Sequence, residues 1–222
     1  MQFDASLFGP ALRRIGQLIA AMPATIAVAW LLVASLGVMS DASVKLDIGL
    51  QLSVAIAYWV ILTGVQVWLT GEALTRLGAA PTLGVAQSLG VVLQAILIAL
   101  GITLGLLLLI LPGLYVASRW YLAGSILILD GGGRRAAMER SWRLLEAHWP
   151  AALALSIIMA ALSVGPFWLA GHMSGFFGGE EFLMQFILNL CSSTGIVGGY
   201  LAAVALLTVI EPPTRELQKI FS

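Results

Sequence analysis

The sequence predicts a polytopic α-helical membrane protein: six transmembrane helices in one domain, with amphipathic helices along the cytoplasmic interface. Three observations carry that prediction. Of 222 residues, 60% are hydrophobic and 10% charged, against about 45–50% and about 25% in a soluble domain. The apolar residues fall in runs close to the roughly 20 that one crossing of the hydrocarbon requires. The charged residues collect between those runs. Mean hydropathy is +1.00. So few charges cannot cover the apolar surface of a soluble fold this size, so soluble enzymes, nucleic-acid binders and disordered chains are excluded. A net charge of zero selects no partner.

The first helix to justify is an amphipathic one. Leu7, Ala11, Ile15 and Leu18 share a face, with Arg13, Arg14 and Gln17 elsewhere, so this segment should lie in the interface. The apolar run that follows is too long for a secretory h-region and reads as a retained span. Span 1 covers residues 23–39, with Pro23 in its first turn, where a missing N–H costs no bond. A polar loop, 40–49, leads to span 2 at 50–70. Span 3 covers 91–111, and Leu111, Pro112 and Gly113 are expected to make a tight turn into span 4 at 114–129. Asp130 and Gly131, Gly132 and Gly133 stop that span. A charged amphipathic helix is expected over 134–148, then span 5 at 149–170 with Pro166 bending its end. A glycine-rich connection, 171–181, precedes span 6 at 187–210. Pro212 and Pro213 end it, leaving a last interfacial turn or two at 214–221.

With the N-terminus inside, nine basic residues fall on the inner side (Arg13, Arg14, Arg76, Arg134, Arg135, Arg140, Arg143, Arg215 and Lys219), and one, Lys45, falls outside. That asymmetry predicts cytoplasmic N- and C-termini in a bacterial inner membrane. Three times an amphipathic segment feeds a pair of spans, starting near Ala11, Thr82 and Arg135. Each pair ends on an inner acid: Glu72, Asp130 or Glu211. Both a three-fold repeat and the common needs of membrane hairpins account for this.

Arg119 is the most informative residue, because it lies within span 4 about 9 Å beyond Gly113. A guanidinium at that depth must pair, snorkel or face a wet cavity. Beside it, Trp120 and Tyr121 suit a headgroup environment. It reads either as a phosphate ligand or as a structural arginine paired with backbone carbonyls. Next, Met138, Trp142, Leu145 and Trp149 line one helical face, and Glu139 with Arg143 is expected to pair at i, i+4. Arg135, Arg140, Trp142 and Arg143 make lipid-headgroup candidates, at about 1 kcal/mol per basic residue near an anionic leaflet. The ordinary alternative is an anchoring helix.

Glu72, Asp130 and Glu211 are weighed as an inner acidic cluster against charges that simply meet water. Cys191 is expected to be a small buried core residue. His148 and His172 fall on opposite sides of the membrane, and no metal or other cofactor is expected. Gly101 with Gly105, and Gly195 with Gly199, form two GxxxG pairs for intramolecular packing or for docking a second copy or another membrane protein. Walker, HExxH and GxSxG motifs are absent, and no enzymatic activity is expected.

The block from Leu111, Pro112, Gly113 and Tyr115 through Arg119 and Trp120 to Asp130, then Ala137, Arg140, Ser141 and Trp142, resembles a recurrent bacterial pattern. It is similar to the glycerophosphodiester phosphodiesterase membrane-domain superfamily and its YciC-like inner-membrane relatives. The likeness covers about residues 106–149, with Asp130 where glutamate is commoner. Fused members carry catalysis in a separate soluble domain, for which this chain has no room. The resemblance therefore implies a membrane module without phosphodiesterase activity, in which Pro112, Gly113, Arg119, Asp130, Ser141 and Trp142 form one structural or lipid-binding unit.

The resulting expectation is a non-catalytic, lipid-interacting protein serving lipid translocation or envelope homeostasis, with membrane phospholipids as its partners. A small-solute or ion transporter and an assembly subunit of a membrane complex are the alternatives. Polar residues inside the spans are few, with Asn189 and Ser192, Ser193 and Thr194 the one cluster.

Overall fold

The computed structural model describes residues 7–44, 47–79, 81, 85–108, 110–173 and 181–213. Among them all regular structure is helical: α1 (Phe8–Ala21), α2 (Pro23–Ser43), α3 (Ile48–Arg76), α4 (Val85–Leu108), α5 (Ile110–Arg119), α6 (Ala123–Asp130), α7 (Arg134–Leu144), α8 (Trp149–Met173) and α9 (Glu181–Ile210). Four described helices are long and apolar enough to cross a membrane: α2, α3, and the stretches Trp149–Ala170 of α8 and Phe182–Ile210 of α9. The chain is a helical membrane protein.

Local chemistry sets the helix ends. Met22 breaks the backbone between α1 and α2, and Pro23 opens α2. The Asp47 carboxylate caps α3 by accepting from the N–H groups of Gly49 and Leu50. At the far end of α3, Gly78 has φ +83°. Its N–H reaches the Thr75 carbonyl while that of Ala79 reaches Leu74, a Schellman closure that satisfies carbonyls the helix would otherwise leave open. Gly131, also left-handed, closes α6 through its N–H to the Leu127 carbonyl.

Helix α9 is the hub. In its membrane-length window 61% of residues are buried inside the protein, against 11–28% for the other three candidate spans. Leu201, Ala202, Val204, Leu206 and Leu207 are all essentially inaccessible. Helices α8, α2, α1 and α3 pack around it. On α1, Ala11 and Leu18 are fully buried, with Leu7 and Ile15 packed against the same core. Most of α6 is apolar and buried before Asp130, with Ala123, Ile126 and Ile128 at zero exposure.

Several boundaries differ from the sequence reading. Helix α2 runs on to Ser43 and α3 starts at Ile48, so the polar loop is shorter. Pro112 and Gly113 do not turn; they sit in the first turns of α5, where proline's missing N–H costs nothing. The chain reverses between Gly101 and Trp120, whose ring lies over that glycine. Span 4 is not one helix, because Trp120, Tyr121 and Leu122 form a turn between α5 and α6. Helix α7 ends at Leu144 rather than at 148. Helix α8 continues through Pro166 to Met173, and α9 begins at Glu181, six residues before the expected start of span 6. Cys191 is exposed on α9, not buried. Thr82 and the terminal segment 214–222 lie outside the described residues.

Candidate lipid site and membrane cavity

The turn that interrupts α5 and α6 creates the central feature of the molecule. In a continuous helix the Ala123 N–H would bond the Arg119 carbonyl, but here it bonds Trp120. The freed Arg119 carbonyl accepts instead from the Ser141 hydroxyl of α7 at 2.8 Å. In return, Arg119 Nη1 donates to the carbonyl of Leu145 at 2.9 Å, just past the end of α7, where helix carbonyls lack internal partners. A cation there also faces the negative end of the helix dipole. Two side chains thus satisfy two helix ends reciprocally.

Arg119 is 3% exposed, and aromatic rings complete its enclosure. Its guanidinium carbon lies 4.6 Å from the centre of the Trp142 ring and 5.7 Å from that of Tyr115. Each such contact contributes roughly 0.5–2 kcal/mol. Tyr115 packs edge-on against both Trp142 and Trp149, and Trp120 tilts against Trp142. Arg119 Nε is buried without a hydrogen-bond partner. Tyr121 turns the other way and donates to the Gly199 carbonyl of α9 at 3.2 Å.

A second unit lies at the same end of the bundle. Arg140 bonds Asp130 through Nη1 and Glu211 through Nη2, so one guanidinium joins α6, α7 and the residue after α9. The hydrogen bond with Asp130, then that with Glu211, raises the Arg140 pKa above its ordinary value, outweighing the desolvation that lowers it. Glu72 stands apart from this pair and bonds Arg76 at 2.8 Å. Glu139 pairs back to Arg135 at 2.7 Å rather than forward to Arg143, and Arg143 is exposed.

The outer face of α7 and the α4–α5 hairpin enclose a groove of about 490 Å³. Leu97, Trp120, Met138 and Trp142 are its apolar lining, and Arg134, Arg135 and Glu139 its polar lining. Arg135 is almost wholly exposed at its side chain. Of the expected headgroup residues, the groove therefore gathers Trp120, Arg135 and Trp142. It does not gather Arg119, Tyr121, Arg140 or Arg143. Arg134 joins it, which sequence reasoning had counted only for orientation.

A second cavity, of about 430 Å³, shares Trp120 with the groove and lies among α3, α4, α5, α6, α8 and α9. Gln94, 1% exposed, lines it with neither amide atom bonded. An amide buried this way costs about 1–3 kcal/mol. In the sequence Gln94 is a polar residue within the apolar run of span 3. The Asn189 cluster, by contrast, is consumed by packing: Asn189 donates to Asp41 and the Gln185 carbonyl, and Thr194 accepts from Trp30 at 3.1 Å.

Of the two GxxxG pairs, Gly195 meets α8 of its own chain: a Cβ there would lie 2.4 Å from the Met159 carbonyl oxygen. Gly101 packs under the Trp120 ring. Comparison with protein families, with curated proteins and with solved structures finds no match for this chain.

Proposed function

We propose that this chain is a non-catalytic protein of a bacterial inner membrane that binds anionic phospholipid and serves lipid translocation or envelope homeostasis. Membership of the superfamily it resembles, as a module without phosphodiesterase activity, is part of this reading. On it, α4 makes a fifth crossing and α5 with α6 a broken sixth, both termini are cytoplasmic, and α1 and α7 lie along the cytoplasmic interface.

The observation that carries the reading is the groove between α7 and the α4–α5 hairpin. Trp120, Trp142, Met138 and Leu97 offer it an apolar wall, and Arg134 and Arg135 bring charge to its lining at the start of α7. Acyl chain and phosphate demand that division, with arginine's fork suited to phosphate oxygens. Arg119 then positions rather than binds. It is committed to Leu145 and to the rings of Trp142 and Tyr115, and so holds the Trp142 wall in place.

Thermal stability of the detergent-purified protein, measured with added lipid, tests this. Phosphatidylglycerol and cardiolipin should raise the melting temperature above phosphatidylcholine at equal concentration. Equal shifts from all three lipids would remove the anionic-lipid assignment.

A further inference from the structure

We propose that the cavity around Gln94 is a second site, distinct from the α7 groove, for an uncharged glycerolipid with a free hydroxyl: the monoacylglycerol or diacylglycerol class. Among the described residues no charged side chain lines it, so an ionised headgroup would enter without a counter-charge, at the desolvation cost that keeps charges out of apolar sites. Gln94 offers both a donor and an acceptor with neither used. A hydroxyl beside an ester carbonyl supplies the complementary pair.

Three hydroxyls of the polar wall point to the same chemistry. Ser156, Ser163 and Tyr121 spend their hydroxyl protons on the carbonyls of Ala152, Met159 and Gly199. Their oxygens are left as acceptors facing a ligand that brings donors. Val91, Ile98, Trp59 and Trp120 supply apolar wall for the first part of an acyl chain.

Position and access fit a ligand arriving from the bilayer. Gln94 lies about 14 Å along α4 from its start, and Gln66 about 15 Å from the end of α3. The wall includes Trp59, 51% exposed, and Ala160, also exposed on the outer surface of the bundle. A lipid can therefore enter sideways, past these two residues. The size falls within the range of small-molecule sites.

Equilibrium binding of labelled 1-monooleoylglycerol to the detergent-purified full chain tests the proposal, with methyl oleate and phosphatidylglycerol as competitors. Saturable binding of one molecule per chain is expected, with both competitors at least about tenfold weaker: methyl oleate because a site built to hydrogen-bond rejects a ligand lacking the group, and phosphatidylglycerol because its ionised phosphate would be buried without a counter-charge. Gln94→Leu should lose a similar factor. Ala160→Trp, at an exposed position that should not disturb folding, should block the mouth and abolish binding. Arg134→Gln with Arg135→Gln should leave it unchanged, which separates this site from the phospholipid groove. Equal competition by methyl oleate, or undiminished binding in Ala160→Trp, would overturn the proposal even if Gln94→Leu failed to fold.

Discussion

Ser141 and Arg119 hold each other's helices: the serine hydroxyl bonds the arginine's carbonyl, and the arginine's guanidinium bonds the carbonyl of Leu145, four residues beyond the serine. The break between α5 and α6 is stable because α7 supplies the missing donor. Ser141→Ala removes that donor from a wholly buried carbonyl. It should cost about 1–3 kcal/mol, read as a lower melting temperature in detergent. Arg119→Lys keeps the charge but loses the planar fork and its stacking on Trp142, and should cost about 2 kcal/mol. A neutral response to both substitutions would mean that the break is held by packing alone.

The Arg140 clasp makes a second prediction. Arg140→Gln leaves Asp130 and Glu211 close together without their shared cation. The pairs are partly exposed, so the loss should be modest, roughly 1–2 kcal/mol. Adding Glu211→Gln to that variant should restore part of the lost stability. If the double substitution is worse than the single one by the full cost of a second lost bond, the clasp is not electrostatic.

The glycine pair on α9 separates by geometry. At Gly195 a new methyl group would meet the backbone of α8, 2.4 Å from the Met159 carbonyl and 2.5 Å from the Ser163 nitrogen. At Gly199 the nearest atom is a Met159 side-chain carbon at 3.8 Å, an ordinary contact. Gly195→Ala should therefore force α8 and α9 apart and cost about 1–3 kcal/mol. Gly199→Ala should be nearly neutral. Comparable losses at the two positions, measured by thermal unfolding, would refute the close crossing.

Gly37 and Asn189 should be coupled. A Cβ at Gly37 would fall 1.9 Å from the Asn189 side-chain oxygen and 2.7 Å from its carboxamide carbon. Asn189 is tied to Asp41 and the Gln185 carbonyl, so it cannot swing aside without losing bonds. Gly37→Ala should cost about 1–3 kcal/mol alone and much less in an Asn189→Ala background. A double-mutant cycle with no interaction energy would contradict the packing.

The helices were legible where one dominant force acts. Apolar runs marked α2, α3, α8 and α9, Pro23 marked the start of α2, and the glycines after Asp130 marked the end of α6. The turn at Trp120, Tyr121 and Leu122 was not legible, because the polar dip at Ser118 and Arg119 reads as a charge inside a span rather than as a break, and the stabilising donor is 22 residues away in Ser141. Arg119 stood out as a charge in an apolar run. Its partner is a backbone carbonyl, which every residue possesses and no residue type announces. Gln94 was visible only as a polar letter, since an unbonded amide is a property of what surrounds it. Cys191 was misplaced because a helix as apolar as α9 carries no hydropathy contrast to tell its lipid-facing side from its packed side.

The central claim is that Arg134 and Arg135 with Trp120 and Trp142 form an anionic phospholipid site. Native mass spectrometry of the protein released from micelles with phosphatidylglycerol and phosphatidylcholine tests it most directly. Wild type should retain phosphatidylglycerol preferentially. Arg134→Gln with Arg135→Gln should weaken that retention by roughly ten- to thirtyfold, given about 1 kcal/mol per basic residue near an anionic lipid, with no change for phosphatidylcholine. Retention of phosphatidylglycerol at wild-type strength by the double variant would contradict the account.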